Sequence, residues 1–101
     1  MPDHFNKLTP AEAERLAMLA EECAEVIAII GKILRHGYES YHPDTPAISN
    51  RDMLADEIAD VHAVVRAMKW GELRDYSCED IIGTRWKMKL RYSHHQDDDN
   101  A

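Results

Sequence analysis

Two pairs of carboxylates in this sequence have a spacing that could do chemistry. Glu22 and Glu25 fall three residues apart in the run Glu21-Glu22-Cys23-Ala24-Glu25, and Glu57 and Asp60 repeat the interval in Asp56-Glu57-Ile58-Ala59-Asp60. Residues three apart share a face of a helix, so each pair aims its carboxylates in one direction. Most such pairs are solvated acidic surface, because charged side chains stay in water. Two positions argue otherwise here. At about 100° per residue, Glu57 lies between Val61 and Val64, inside an apolar stripe, and Glu22 borders Val26 and Ile33 in the same way. A carboxylate on a buried arc is costly unless it is paired or bound to a cation. Four converging carboxylates also repel one another, and few positive residues stand nearby on either helix to relieve them. A hard divalent cation with oxygen ligands would relieve them. Magnesium keeps waters and favours substrate phosphates over a full protein cage, so the implied ligand is a magnesium-bound phosphate compound.

The elements that must position these groups are helices. A first helix is expected over 8–36, opened by the capping box Thr9-Pro10-Ala11-Glu12 and closed by glycine at Gly37. It is roughly 40 Å long at 1.5 Å per residue. A loop over 37–49, with two prolines and no clear period, separates it from a second helix over 50–70 that ends on a glycine stop at Gly71. A loop of this length in so small a domain is more often functional than idle. A third helix is expected over 77–93, capped by Ser77 in Ser77-Cys78-Glu79-Asp80, with a flexible tail over 94–101.

The apolar positions make one broad arc on the first helix: Leu16, Leu19, Cys23, Val26, Ile27, Ile30, Ile33 and Leu34. On the second they are Leu54, Ile58, Val61, Val64, Val65 and Met68. The third carries two stripes, Ile82, Trp86 and Leu90 on one side and Ile81, Met88 and Tyr92 on another. A helix needing cover on two sides packs both within its subunit and against another. The expected fold is therefore all-α: antiparallel helices in a four-helix-bundle-like core completed by oligomerisation, as a dimer or a dimer of dimers.

At 101 residues the chain is one small domain. Its formal net charge of -7 argues against nucleic acid as a partner, since phosphate binding without a metal needs a basic surface. Cys23 and Cys78 make neither a metal-ligand pair nor a disulfide framework. The start MPDHFNKLTP has no apolar run, and charged residues interrupt every apolar stretch before it reaches membrane-spanning length. A cytoplasmic protein without membrane contact is the expectation.

At this point the residues resemble a family. The run LAEECAEVIAIIGKILRHG followed by NRDMLADEIADVHAVV is similar to the Glu-x-x-Glu … Glu-x-x-Asp signature of the all-α, MazG-like nucleoside triphosphate pyrophosphohydrolases. That superfamily also holds dimeric dUTPases, dCTP pyrophosphatases and phosphoribosyl-ATP pyrophosphohydrolase. The similarity covers roughly residues 16 to 96 and is nearest to short phage-encoded members, which would act in a host cytoplasm. Thirty-one residues lie between Glu25 and Glu57, more than the family usually shows, and the excess falls in the 37–49 loop. The resemblance implies that Glu22, Glu25, Glu57 and Asp60 bind magnesium, with manganese as a substitute. It further implies hydrolysis of a nucleoside triphosphate to monophosphate and pyrophosphate. Glu25 or Glu21 would orient or deprotonate the attacking water; the sequence does not choose between them.

Phosphate contacts have several candidates. Lys32 follows Glu25 by two turns on nearly the same face, with His36 one turn further on, although helix C-termini attract cations anyway. Arg85 and Lys89 lie between the apolar stripes of the third helix, where a long cation either reaches a phosphate or snorkels. Lys87 and Arg91 read as solvated, and Trp86 as core. His94 and His95 are neighbours and do not face each other, and Glu39-x-x-His42 sits in the proline-containing loop. Other readings are a non-catalytic helical interaction module, a phosphoribosyl-ATP pyrophosphohydrolase-like enzyme and a ferritin-like di-iron oxidase. The di-iron site wants Glu-x-x-His on two helices, where this chain offers carboxylates alone.

Overall fold

A computed structural model describes residues 5–69 and 71–96. Among them are three helices, α1 (Pro10–His36), α2 (Asn50–Met68) and α3 (Glu79–Leu90), and no β-strand beyond an isolated antiparallel bridge between Tyr41 and Ser49. The all-α expectation holds.

The start of α1 follows from its side chains. Thr9 Oγ1 accepts from the Glu12 backbone N–H at 3.1 Å, and Glu12 Oε1 accepts from the Thr9 N–H at 2.8 Å. At the other end Gly37 takes a φ of 89°, which L side chains rarely adopt, and donates its N–H to the Ile33 carbonyl at 2.7 Å. A second capping box, Ser49 with Asp52, opens α2. The expected glycine stop for α2 is not used: the helix ends at Met68, Lys69 stays right-handed, and among the described residues Gly37 is the one glycine with positive φ. Trp70 lies outside the described residues. The Ser77 cap also fails. Asp75 Oδ1 accepts from both the Ser77 N–H and its hydroxyl at 3.0 Å, so the hydroxyl is spent on a turn. Cys78 occupies the cap position without a side-chain bond, and α3 is shorter than the expected 77–93.

The 37–49 loop is tied at its base. Asn50, the buried polar residue of α2, donates Nδ2–H to the Gly37 carbonyl at 3.2 Å and its backbone N–H to the Ser40 carbonyl at 2.8 Å. Arg51 donates its N–H to the Tyr38 carbonyl, stacks 4.4 Å over the Tyr38 ring and donates Nε–H to Glu39 at 2.7 Å. These bonds return the chain beside its exit point, so α2 runs back along α1. At the far end Arg15 pairs with Glu72, its Nε lying 2.8 and 3.1 Å from the two carboxylate oxygens.

Packing is confined to α1 against α2; α3 makes at most a marginal contact with either. The buried apolar residues are Ile29, Val64 and Met68, at 4%, 8% and 2% exposure. The broad arc expected on α1 is buried along one edge only. Leu19, Val26 and Ile33 are half-covered by α2, whereas Leu16, Cys23, Ile27, Ile30 and Leu34 stay exposed, because one partner helix covers one face. On α3, Trp86 and Leu90 are half-buried, but Ile82 of the same expected stripe is exposed, as are Ile81 and Met88 and, just beyond the helix, Tyr92. The accessible surface is 8639 Å², against about 5,800 Å² for a compact monomer of 11.6 kDa. The radius of gyration, 17.6 Å, likewise exceeds the roughly 13 Å of a compact domain this long. No described helix is long and apolar enough to cross a membrane.

Candidate metal centre

The packing of α1 on α2 decides where the acids go. Leu19, Val26, Ile29 and Ile33 on one helix face Val61, Val64 and Met68 on the other, and the carboxylate pairs ride on the edge of that seam. Each helix fixes its own pair by the three-residue interval, and the antiparallel return fixed at Asn50 sets the two pairs opposite one another. As a result Glu22, Glu25, Glu57 and Asp60 each offer an oxygen within 4.8 Å of the others, an arrangement that could hold a metal ion.

Their environments differ in a way that follows from position. Glu22 and Glu57, nearest the seam, are half-buried, and Oε2 of each is shielded from water with no hydrogen-bond partner. Glu25 and Asp60 lie on the exposed rim. The Glu57 carboxyl is pushed up to about 7, first by a hydrogen bond shared with Glu25, then by burial and by the charges of Glu25, Asp60 and Glu22. Burial leads in raising Glu22, followed by the charges of Glu25 and Asp60. All these causes act in one direction. Among the described residues no lysine or arginine makes an ion pair with any of the four.

The remaining expected site residues are placed less closely. Glu21 is exposed beside the cluster and adds its charge to the raising of Glu22, but it is not among the converging four. Lys32 and His36 are exposed on the last turns of α1, with Lys32 about 10 Å along the axis from Glu25. Arg85 and Lys89 are exposed on α3, which the single chain does not bring onto the α1–α2 pair. His94 and His95 are exposed beyond α3. Glu39 is occupied by Arg51, and His42 Nδ1 accepts from the Asp44 N–H at 3.1 Å, so neither joins a metal cluster.

Asn50 matters to the site without touching it, since its amide sets the return of α2. Nothing in the local pattern marks it, because an asparagine after a capping serine is ordinary surface sequence. A separate cleft of about 320 Å³ is lined by His62, Arg66, Lys69 and Tyr76. At about 100° per residue, His62 and Arg66 lie on the side of α2 away from Asp60. No protein-family model, curated protein or solved structure matches this chain, so the site stands on its own geometry.

Proposed function

We propose that the chain is a magnesium-dependent nucleoside triphosphate pyrophosphohydrolase of the MazG-like type, acting in the cytoplasm as a two-fold dimer or a pair of dimers. The observation that carries this reading is the convergence of Glu22, Glu25, Glu57 and Asp60 within 4.8 Å, with two oxygens sheltered from water and unpartnered. Acceptor-only oxygens without a thiol or imidazole suit a hard cation, magnesium or its substitute manganese, and disfavour a di-iron or soft-metal site.

When bound, magnesium neutralises phosphate oxygens and the pyrophosphate that departs. The chain's own groups supply positioning and proton transfer. Glu25, or Glu21 on the rim, holds the attacking water and accepts its proton. The new bond forms from that water oxygen to the α-phosphorus. The α–β anhydride bond opens, giving a monophosphate and pyrophosphate. Lys32 on α1 and Arg85 and Lys89 of α3 are the cations available to the outer phosphates, and His36 on α1 is a further hydrogen-bond donor. Oligomerisation is supported by the surface excess over a compact monomer and by the exposed stripes on α1 and α3.

The test is a panel of standard and modified nucleoside triphosphates in magnesium, with products separated by chromatography. Monophosphate and pyrophosphate, absent when a chelator is added, are expected. Diphosphate and orthophosphate would move the protein to another class. A magnesium-dependent rise in melting temperature without any turnover would favour a binding module instead.

A further inference from the structure

The cleft on the far side of α2 takes no part in the carboxylate site. One wall is the last two turns of that helix. From Val61 to Gly71 the chain holds His62, Arg66 and Lys69 and no acid, in a molecule whose formal net charge is -7. At about 100° per residue these three share one arc of α2, on the side away from Asp60. Cations near a helix C-terminus need no ligand to explain them, because the dipole attracts them. The dipole does not account for the opposite wall, where Asp75, Tyr76 and Ser77 of the linker face the helix across about 320 Å³.

That second wall is held in place by its own bonds. Asp75 Oδ1 accepts from the Ser77 N–H and from its hydroxyl at 3.0 Å, and these bonds, with the charge of Lys69, keep the Asp75 carboxyl low. Asp75 is thereby committed to its turn and to Lys69. Arg66 is exposed and makes no ion pair among the described residues. With two cations against one acid, the cleft keeps an excess of positive charge.

The lining groups select a ligand. Arg66, Lys69, the Tyr76 hydroxyl and the His62 ring offer donors from two walls, which suits the three terminal oxygens of a phosphate monoester better than the two of a carboxylate. Val65, half-buried, and the ring of Tyr76, 43% exposed, add an apolar side on which a flat ring can lie. The volume falls at the small end of ligand sites, the size class of a mononucleotide and not of a dinucleotide.

We propose that this cleft is a second, metal-independent site for a phosphate monoester of mononucleotide size, with the phosphate on Arg66 and Lys69 and the base against Val65 and Tyr76. It lies across α2 from the carboxylates and needs neither magnesium nor turnover, so it does not rest on the pyrophosphohydrolase reading.

Calorimetric titration with adenosine monophosphate, ribose 5-phosphate and inorganic phosphate tests the site, with a chelator present so that no metal-bound phosphate reaches the carboxylates. Adenosine monophosphate is expected to bind with a Kd of about 1 mM or tighter, and the two probes without a base several-fold more weakly. Arg66→Ala and Lys69→Ala, both at exposed positions, should each weaken it about tenfold. Tyr76→Leu should bring it to the level of ribose 5-phosphate, and Glu57→Gln should leave all three affinities unchanged. No binding of adenosine monophosphate at about 10 mM overturns the proposal. So does unaltered binding by Arg66→Ala, or by Arg66→Gln where the alanine protein fails to fold by circular dichroism. Equal affinity for phosphate and adenosine monophosphate overturns the base contact and with it the site as drawn. Binding that disappears in Glu57→Gln belongs to the carboxylate site and overturns a separate one.

Discussion

Glu57 concentrates the tension of the site in one side chain. Its carboxyl sits at about 7 in the folded chain against an ordinary 4.5, so the native state binds its proton more tightly than the unfolded state does. Stability from this group is full below pH 4.5 and is lost as pH rises through about 7, and Glu22 shifts in the same direction. Glu12 and Asp75 work oppositely. The backbone N–H groups of Thr9 and Ser77 hold these two carboxyls low, and their contribution disappears as pH falls through the acid range. Metal-free protein is therefore expected to melt highest at about pH 5 and lower at pH 8, read by circular dichroism. On the proposed function, magnesium should remove the decline at pH 8, because the ion would bind the charged carboxylates. The Glu57→Gln substitution should raise the metal-free melting temperature at pH 8 while cutting magnesium-dependent turnover by about 100-fold. A variant that melts lower at pH 8 and still turns over would show that Glu57 is an ordinary structural acid.

The helices differ in how much of them could be read from the chain. Thr9 and Glu12 announce α1 because both partners of a capping box lie within four residues, and the structure makes both bonds. Ser77 offers the same pattern for α3, yet its hydroxyl goes to Asp75, a competing local acceptor that the capping rule does not weigh. Thr9→Ala should accordingly cost about 1 kcal/mol in urea unfolding, and Ser77→Ala should leave the helix content of α3 unchanged. The carboxylate cluster was legible because a three-residue interval on a helix is a geometric statement, and the side of the stripe then places Glu22 and Glu57. What periodicity could not supply is the register between the helices, which Asn50 fixes through bonds to Gly37 and Ser40 across the loop. Asn50→Ala leaves a part-buried carbonyl without its donor, an expected loss of about 1–3 kcal/mol. Magnesium affinity should fall with it, measurable by calorimetry, although Asn50 is no ligand. Periodicity also overstated the interior: Ile27 and Leu34 keep the apolar pattern of a core helix, but α2 shields only one side of α1.

At the scale of the whole molecule, a fold that buries Ile29, Val64 and Met68 and leaves Leu16, Ile27, Ile30 and Leu34 in water has little interior of its own. Sedimentation at micromolar concentration should accordingly give a mass of twice 11.6 kDa or a multiple of it. Replacing Met88 or Leu90 of α3 by glutamate should lower that mass and the turnover together, and a fully active monomer would defeat the assembly. The thin interior also bears on the life of the protein in a cell. If the proposed dimer supplies the interior that α1 and α2 lack, the folded fraction rises with the abundance of the chain itself. At low synthesis rates newly made copies would meet proteases before they meet each other, so activity should climb faster than linearly with gene dosage.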